Sequence, residues 1–218
     1  MLQFYYNPIS VNARRVWVVL LEKQIPFEPV AVRLNGDQFS EDFTQLNPMQ
    51  RVPVLIDSDL KIYESLAILD YLEAKYPTPS LMPSDAAAIA TVRMVEMVAV
   101  NELQPATMVL TRLMVALDVS QEKLDQAKQR INSVLQLYED LLMEKPYFVG
   151  DSITLADVVA GTLAASLPLV GISLNPFPNL ITWIDRLKSR ESWQKTAPTA
   201  IGITSSIPQI RDILERRL

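Results

Sequence analysis

Two stretches hold the residues whose types and spacing could do chemistry. Asn47-Pro48-Met49-Gln50-Arg51-Val52-Pro53-Val54-Leu55 sets a proline directly before a short apolar strand, and Tyr63-Glu64-Ser65-Leu66 sets a polar pair at a helix start. Proline gives no N–H to a sheet and is confined to strand starts and edges. A serine opening a helix offers its own N–H and hydroxyl at the positive end of the dipole, which suits a carboxylate, while the neighbouring acid suits an ammonium. Together they read as a docking site for a small peptide. Ser10, between a strand and a helix and four residues before Arg14, is a third candidate. Taken alone each has an ordinary structural reading: a proline opening an edge strand, a capped helix, a surface acid.

Composition narrows the chemistry further. The 218 residues include no cysteine and no histidine. Disulfides, thiolate or histidine metal sites, serine–histidine triads and a nucleophilic thiol of the chain's own are excluded. If the chain acts through sulfur, the sulfur arrives with a substrate. A formal charge of −5 argues against nucleic acid, whose phosphates are bound by clustered Lys and Arg. The Arg-rich end (Arg211, Glu215, Arg216, Arg217) reads as the solvated face of a last helix. The start, Leu2-Gln3-Phe4-Tyr5-Tyr6, has no signal-peptide pattern. The greasiest later window, Leu155 to Leu174, contains Asp157 and Pro168, so it reads as a core helix and a turn rather than a membrane span. The expectation is a cytoplasmic protein with no membrane partner.

The elements that must position these residues follow from periodicity. Leu2 to Tyr6 is a strand. Asn12 to Lys23 is a helix, ended before Pro26. Phe27 to Leu34 is β-rich, with Val30, Val32 and Leu34 on one face. Asp37 to Leu46 is short helix or loop. Val54 to Tyr63 is a hairpin around Asp57-Ser58-Asp59. Ser65 to Tyr76 is a helix whose stripe is Leu66, Leu69 and Leu72, closed by Pro77. The order β-α-β-α-β-β-α is that of a thioredoxin-like domain. A proline-rich linker, 78–85, separates it (1–77) from an all-helical domain, 86–218. There, Ala86 to about Val115 is one long helical region bent at Pro105. Ser120 caps a helix to Glu144 with a stripe of Leu124, Ala127, Ile131, Val134, Tyr138 and Leu141. Thr154 and Asp157 form a capping box flanked by the staple positions Ile153 and Val158.

The Val-Pro motif with its Glu-Ser partner, the run Pro8-Ile9-Ser10-Val11-Asn12-Ala13-Arg14-Arg15-Val16 and the Thr154-Leu155-Ala156-Asp157 box together resemble the cytosolic glutathione S-transferase family, in its serine-type, bacterial-like branches. The resemblance spans essentially the whole chain. It implies a thioredoxin-like α/β N-terminal domain plus an all-α C-terminal domain. It also implies a cis Val52–Pro53 bond whose Val52 backbone pairs with the cysteinyl unit of glutathione as an added strand. Glu64 and Ser65 would hold the γ-glutamyl zwitterion, and Arg51 and Gln38 would lie at the glycine end. Ser10 would donate a hydrogen bond to the sulfur, with Asn12, Tyr5 and Tyr6 as alternative donors. The absent cysteine at the start of the first helix means the resemblance does not extend to glutaredoxin-like branches.

The implied activity is ionisation of the glutathione thiol and its conjugation to a small hydrophobic electrophile, a detoxification. Glutathione serves as co-substrate, with no metal or other cofactor. An apolar electrophile pocket, to which Met108, Leu110, Thr111 and Met114 could contribute, and a homodimer built on the helix from Ala86 are implied with it. The alternatives are a non-catalytic binding or scaffold protein on the same fold, and a peroxidase or isomerase using the same thiolate.

Overall fold

Leu2 and Phe4 alternate with half-buried neighbours and are themselves buried, which makes the first segment a strand inside a sheet. In the computed structural model, which describes residues 1–33, 36–143 and 145–216, β1 (Leu2–Tyr6), β2 (Phe27–Ala31), β3 (Val54–Asp57) and β4 (Leu60–Tyr63) form a four-stranded sheet ordered β2-β1-β3-β4. β1 and β2 are parallel, so they need a crossover, and α1 (Val11–Glu22) supplies it. β1–β3 and β3–β4 are antiparallel. A 3₁₀ turn (Asp37–Phe39) and α2 (Glu41–Leu46) occupy the polar segment, and α3 (Ser65–Lys75) follows β4.

α1 turns Ala13, Val16, Val19 and Leu20 inward and packs on α3. The Lys23 ammonium locks the two helix ends together, donating to the carbonyls of Tyr76 and Pro79 at 2.7 Å each and pairing with Glu73 at 2.7 Å. The buried face of α3 is Ile68, Leu69 and Leu72. Leu66, expected on that stripe, is half-buried, because the inward face runs through Ser65, Ile68, Leu69 and Leu72 at i, i+3, i+4 and i+7 and leaves Leu66 to its side. Val32 is buried and Val30 half-buried, while Leu34 lies outside the described residues.

The chain divides into two units: one contains residues 1–80 and the segment from Ser192 onward, the other residues 81–191. Within the second, α4 (Ala86–Val98) continues through a π turn (Ala99–Leu103) into α5 (Gln104–Met114). Gln104 N–H reaches back to Ala99 O, a wider turn that sits immediately before Pro105. Pro105 has no N–H, and its ring would crowd the carbonyl one turn back, so the helix accommodates the proline with this π turn. α6 (Gln121–Leu142) starts with Ser120 Oγ accepting from Lys123 N–H at 3.4 Å. Leu124, Ala127, Ile131, Val134 and Tyr138 are buried as expected; Leu142 takes the place of the half-buried Leu141, and Glu144 lies outside the described residues.

α7 (Leu155–Ala164) is buried along its whole length. Its capping box is present, with Ile153 and Val158 buried around it. The fully buried Asp157 carboxylate accepts from the Thr154 N–H and hydroxyl at 2.8 Å each, Phe148 N–H at 3.1 Å and Trp183 Nε1 at 2.9 Å. Burial pushes its pKa up, and these donors pull against that rise. After the 3₁₀ turn Leu167–Val170, α8 (Pro178–Lys188) brings Trp183 to this carboxylate. The greasy window is therefore core.

The segment from Ser192, read from the sequence as part of the helical domain, packs with the first unit. It comprises the end of α9 (Glu191–Lys195) and α10 (Ala200–Arg216). Among the described residues, no helix is long and apolar enough to cross a membrane, and no group of His, Cys, Asp or Glu could hold a metal ion.

Candidate functional site

The strand register collects the candidate residues at one end of the sheet. Tyr5 pairs with Val54, and Val54 pairs with Tyr63. The end of β1, the start of β3 and the end of β4 therefore lie side by side, and the segments carrying Ser10, Val52–Pro53 and Glu64–Ser65 leave from that edge. β2 runs parallel to β1, with Ala31 beside Tyr6, so the segment to Gln38 departs there too.

Val52–Pro53 is cis. The Val52 side chain packs with Tyr5, Leu46 and Ile56 on the cluster of Val32, Phe43 and Val54. Its side chain is thus anchored while, among the described residues, its N–H and C=O are in no ladder or turn hydrogen bond. An unpaired backbone at a strand start is what an extended peptide needs in order to add a strand. The loop before it is shaped by Asn47, which sequence reading left without a role. Buried, Asn47 donates through Nδ2 to the Arg51 carbonyl at 2.8 Å, and its Oδ1 accepts from Met49 N–H at 2.9 Å. The Arg51 head is exposed.

Glu64 is exposed and held at φ 72°, a left-handed conformation uncommon for a non-glycine residue, and its side chain does not cap α3. Among the described residues, no side chain caps the first N–H groups of α3. Ser65 is buried, and its Oγ accepts from Arg15 Nη1 at 3.3 Å, which leaves the hydroxyl proton to be donated elsewhere. Arg15, 1% exposed, is the other residue missed from sequence. Its signal was a lone charge among the inward-facing Ala13, Val16 and Val19 of α1. A guanidinium behind a helix N-terminus, with an acid on the rim, is complementary to a zwitterion that presents its carboxylate inward.

Ser10 is the N-cap of α1: Oγ accepts from Ala13 N–H at 3.2 Å, and among the described residues its proton goes to no partner. It is half-buried. Asn12, one residue into α1, has a buried Oδ1 with no partner among the described residues. Tyr5 packs against Phe43, and Tyr6 against Trp17 and Phe4. The Arg14 guanidinium is occupied elsewhere. It stacks over the Trp193 ring at 5.0 Å and donates to Thr196 Oγ1 and the Trp193 carbonyl at 3.3 Å each. Burial pulls its pKa down to about 10. Arg14 therefore clamps the returning C-terminal segment to α1.

Gln38, 2% exposed, accepts at Oε1 from Gly36 N–H at 3.3 Å; its Nε2 is buried without an acceptor among the described residues.

Comparison with known proteins shows the family. Residues 4–80 match the family "Glutathione S-transferase, N-terminal domain", and residues 75–191 match "Glutathione S-transferase, C-terminal domain". The maleylacetoacetate isomerase of Rattus norvegicus is 35% identical over 84% of this chain and 86% of its own length. Glutathione S-transferase Z2 of Arabidopsis thaliana is 32% identical over 90% and 91%. The solved glutathione S-transferase of Methylobacterium radiotolerans, in complex with glutathione sulfonate, superposes with a TM-score of 0.79 at 30% identity, covering 91% of this chain and 95% of that one.

Proposed function

The chain belongs to the glutathione S-transferase family, and from that premise we propose that it binds glutathione at the sheet edge, ionises its thiol and delivers the thiolate to a small hydrophobic electrophile. One observation carries this reading: the Val52 backbone and the start of α3 beside Glu64 and Arg15, both without partners or caps among the described residues, and the Ser10 hydroxyl all leave one end of one sheet. Val52 pairs with the cysteinyl unit, Ser65 and Glu64 take the γ-glutamyl carboxylate and ammonium, and Arg51 and Gln38 face the glycine end. Ser10 donates to the sulfur. A free thiol of pKa about 8.5 is a few per cent ionised at pH 7, and lowering that by about two units is a preference of about 2.7 kcal/mol for the anion. A charge-directed hydrogen bond in the field of α1's N-terminus is of that order. In substitution the sulfur bonds to carbon as the leaving group departs with its electron pair. In addition, water protonates the carbanion. Neither needs a metal or redox partner. The biological role that fits is detoxification in the cytoplasm. A homodimer packed through the α4 region, where Met94 and Met97 are 43% exposed, accompanies it.

A second reading is favoured by the similarity to a maleylacetoacetate isomerase. There the thiolate would add to a cis double bond conjugated with a carbonyl, the resulting single bond would rotate, and the sulfur would leave, regenerating glutathione. The same residues serve both reactions. Calorimetry with glutathione, followed by assays with an activated aryl halide and with a cis-enone diacid, tests these readings. Binding with turnover of either compound is expected, and binding without turnover would favour a scaffold. Ser10→Ala should raise the pH midpoint of turnover while leaving glutathione affinity nearly unchanged; an unaltered pH–rate profile removes Ser10 from the chemistry.

A further inference from the structure

The last turn of α10 ends at the edge where Gln38 lies. The Arg216 guanidinium sits over the Phe39 ring with Cζ 5.2 Å from its centroid. Phe39 is in the same 3₁₀ turn as Gln38, whose buried Nε2 has no acceptor among the described residues. Two of the nearby cations already have carboxylates: Arg33 pairs with Asp37 at 3.2 Å, and on α10 Arg211 pairs with Glu215 at 3.0 Å. Among the described residues, Arg216 has the ring and no carboxylate. A cation seated on an aromatic face keeps its N–H groups directed outward along the guanidinium edge, a geometry that accepts a carboxylate in bidentate fashion. The amide of Gln38 adds a neutral donor one residue from that ring.

We infer that Arg216, brought by the C-terminal helix and held on Phe39, binds the glycyl carboxylate of glutathione together with the Gln38 amide. This rests on the glutathione reading above. It also gives α10 a reason to stay docked. Its residues Ile203, Ile207, Ile210 and Ile213 are half-buried, and Leu214 is the buried one. A helix held by so little apolar burial gains from any ligand that bridges it to the sheet, so glutathione and α10 docking reinforce each other.

The test compares glutathione with its glycyl monoester on the full chain, for wild type, Arg216→Gln and Phe39→Leu, by calorimetry. Wild type should prefer glutathione over the ester by about tenfold, the order expected for one charge-assisted pair. Arg216→Gln should lose most of that preference, Arg51 keeping the remainder, and bind the ester as wild type does; Phe39→Leu should lose a smaller part of it. Amide exchange in 205–216 should slow on adding glutathione to wild type and not to Arg216→Gln. Equal preference in wild type and Arg216→Gln overturns the inference alone. So does an Arg216→Gln that loses both ligands in parallel. A wild type that binds neither ligand overturns the glutathione reading and this inference with it.

Discussion

Two helix starts in this protein are built in opposite ways. At α7, Thr154 and Asp157 close a capping box in the core, and the carboxylate meets four donors. At α3, the N-cap position is held by an exposed glutamate at φ 72° with no capping bond, and a buried arginine stands behind Ser65. The first consumes its polar groups internally and serves folding. The second keeps its donors open and carries backbone strain, the pattern expected where stability is given up for a ligand.

The contrast can be broken at either side. The largest effect should come from Asp157→Ala, which strands four donors in the core; a loss of at least about 3 kcal/mol in urea unfolding is expected. A loss under about 1 kcal/mol would show that α7 is not the anchor described. Next, Ser65→Ala should weaken glutathione about tenfold or more while changing the unfolding midpoint little. An equal fall in stability and affinity would make Ser65 a cap like Thr154. Glu64→Gly sharpens the difference most. Relief of the left-handed conformation should hold or raise stability, by up to about 1 kcal/mol, while glutathione affinity drops. Thermal melts beside binding isotherms would decide it, and a destabilised Glu64→Gly would mean the strain is not there.

The smallest effect concerns Asp57 on β3, held below the usual carboxylate range by hydrogen bonds from Lys75 and Tyr71. A depressed folded pKa contributes stability above the unfolded value of about 3.9, and that contribution is lost as pH falls through the folded pKa. Lys75→Met should therefore differ slightly from wild type above about pH 4 and converge with it in acid. Solvent exposure of the pair keeps the difference small. A gap that widens in acid would contradict this.

Much of the architecture was legible because it is local. The β-α-β-α-β-β-α order, the Thr154–Asp157 box and the Ser10 cap each involve residues within a turn of one another. The face of α3 excludes Leu66 because the inward stripe begins at Ser65, a polar residue that a reading by hydrophobicity passes over. Pro105 announced an irregularity in the long helix, and its form, a π turn directly before the proline, came from the structure. Among site residues, Ser10, Val52, Pro53, Glu64, Ser65, Gln38 and Arg51 could be nominated from pattern and resemblance. Arg15 and Asn47 could not be given roles, since these depend on what lies across the fold.

By itself the sequence determined that any sulfur chemistry must use a borrowed thiol, for it holds no cysteine or histidine, and it determined the order of elements. Tertiary structure alone decided that Arg14 serves Trp193 and Thr196 while its neighbour Arg15 serves Ser65, and that α10 returns to the first unit with Arg216 on Phe39. The reason is separation along the chain. Periodicity and capping report on residues a few positions apart, whereas the partner of a charge far away in sequence is chosen by packing of the whole unit.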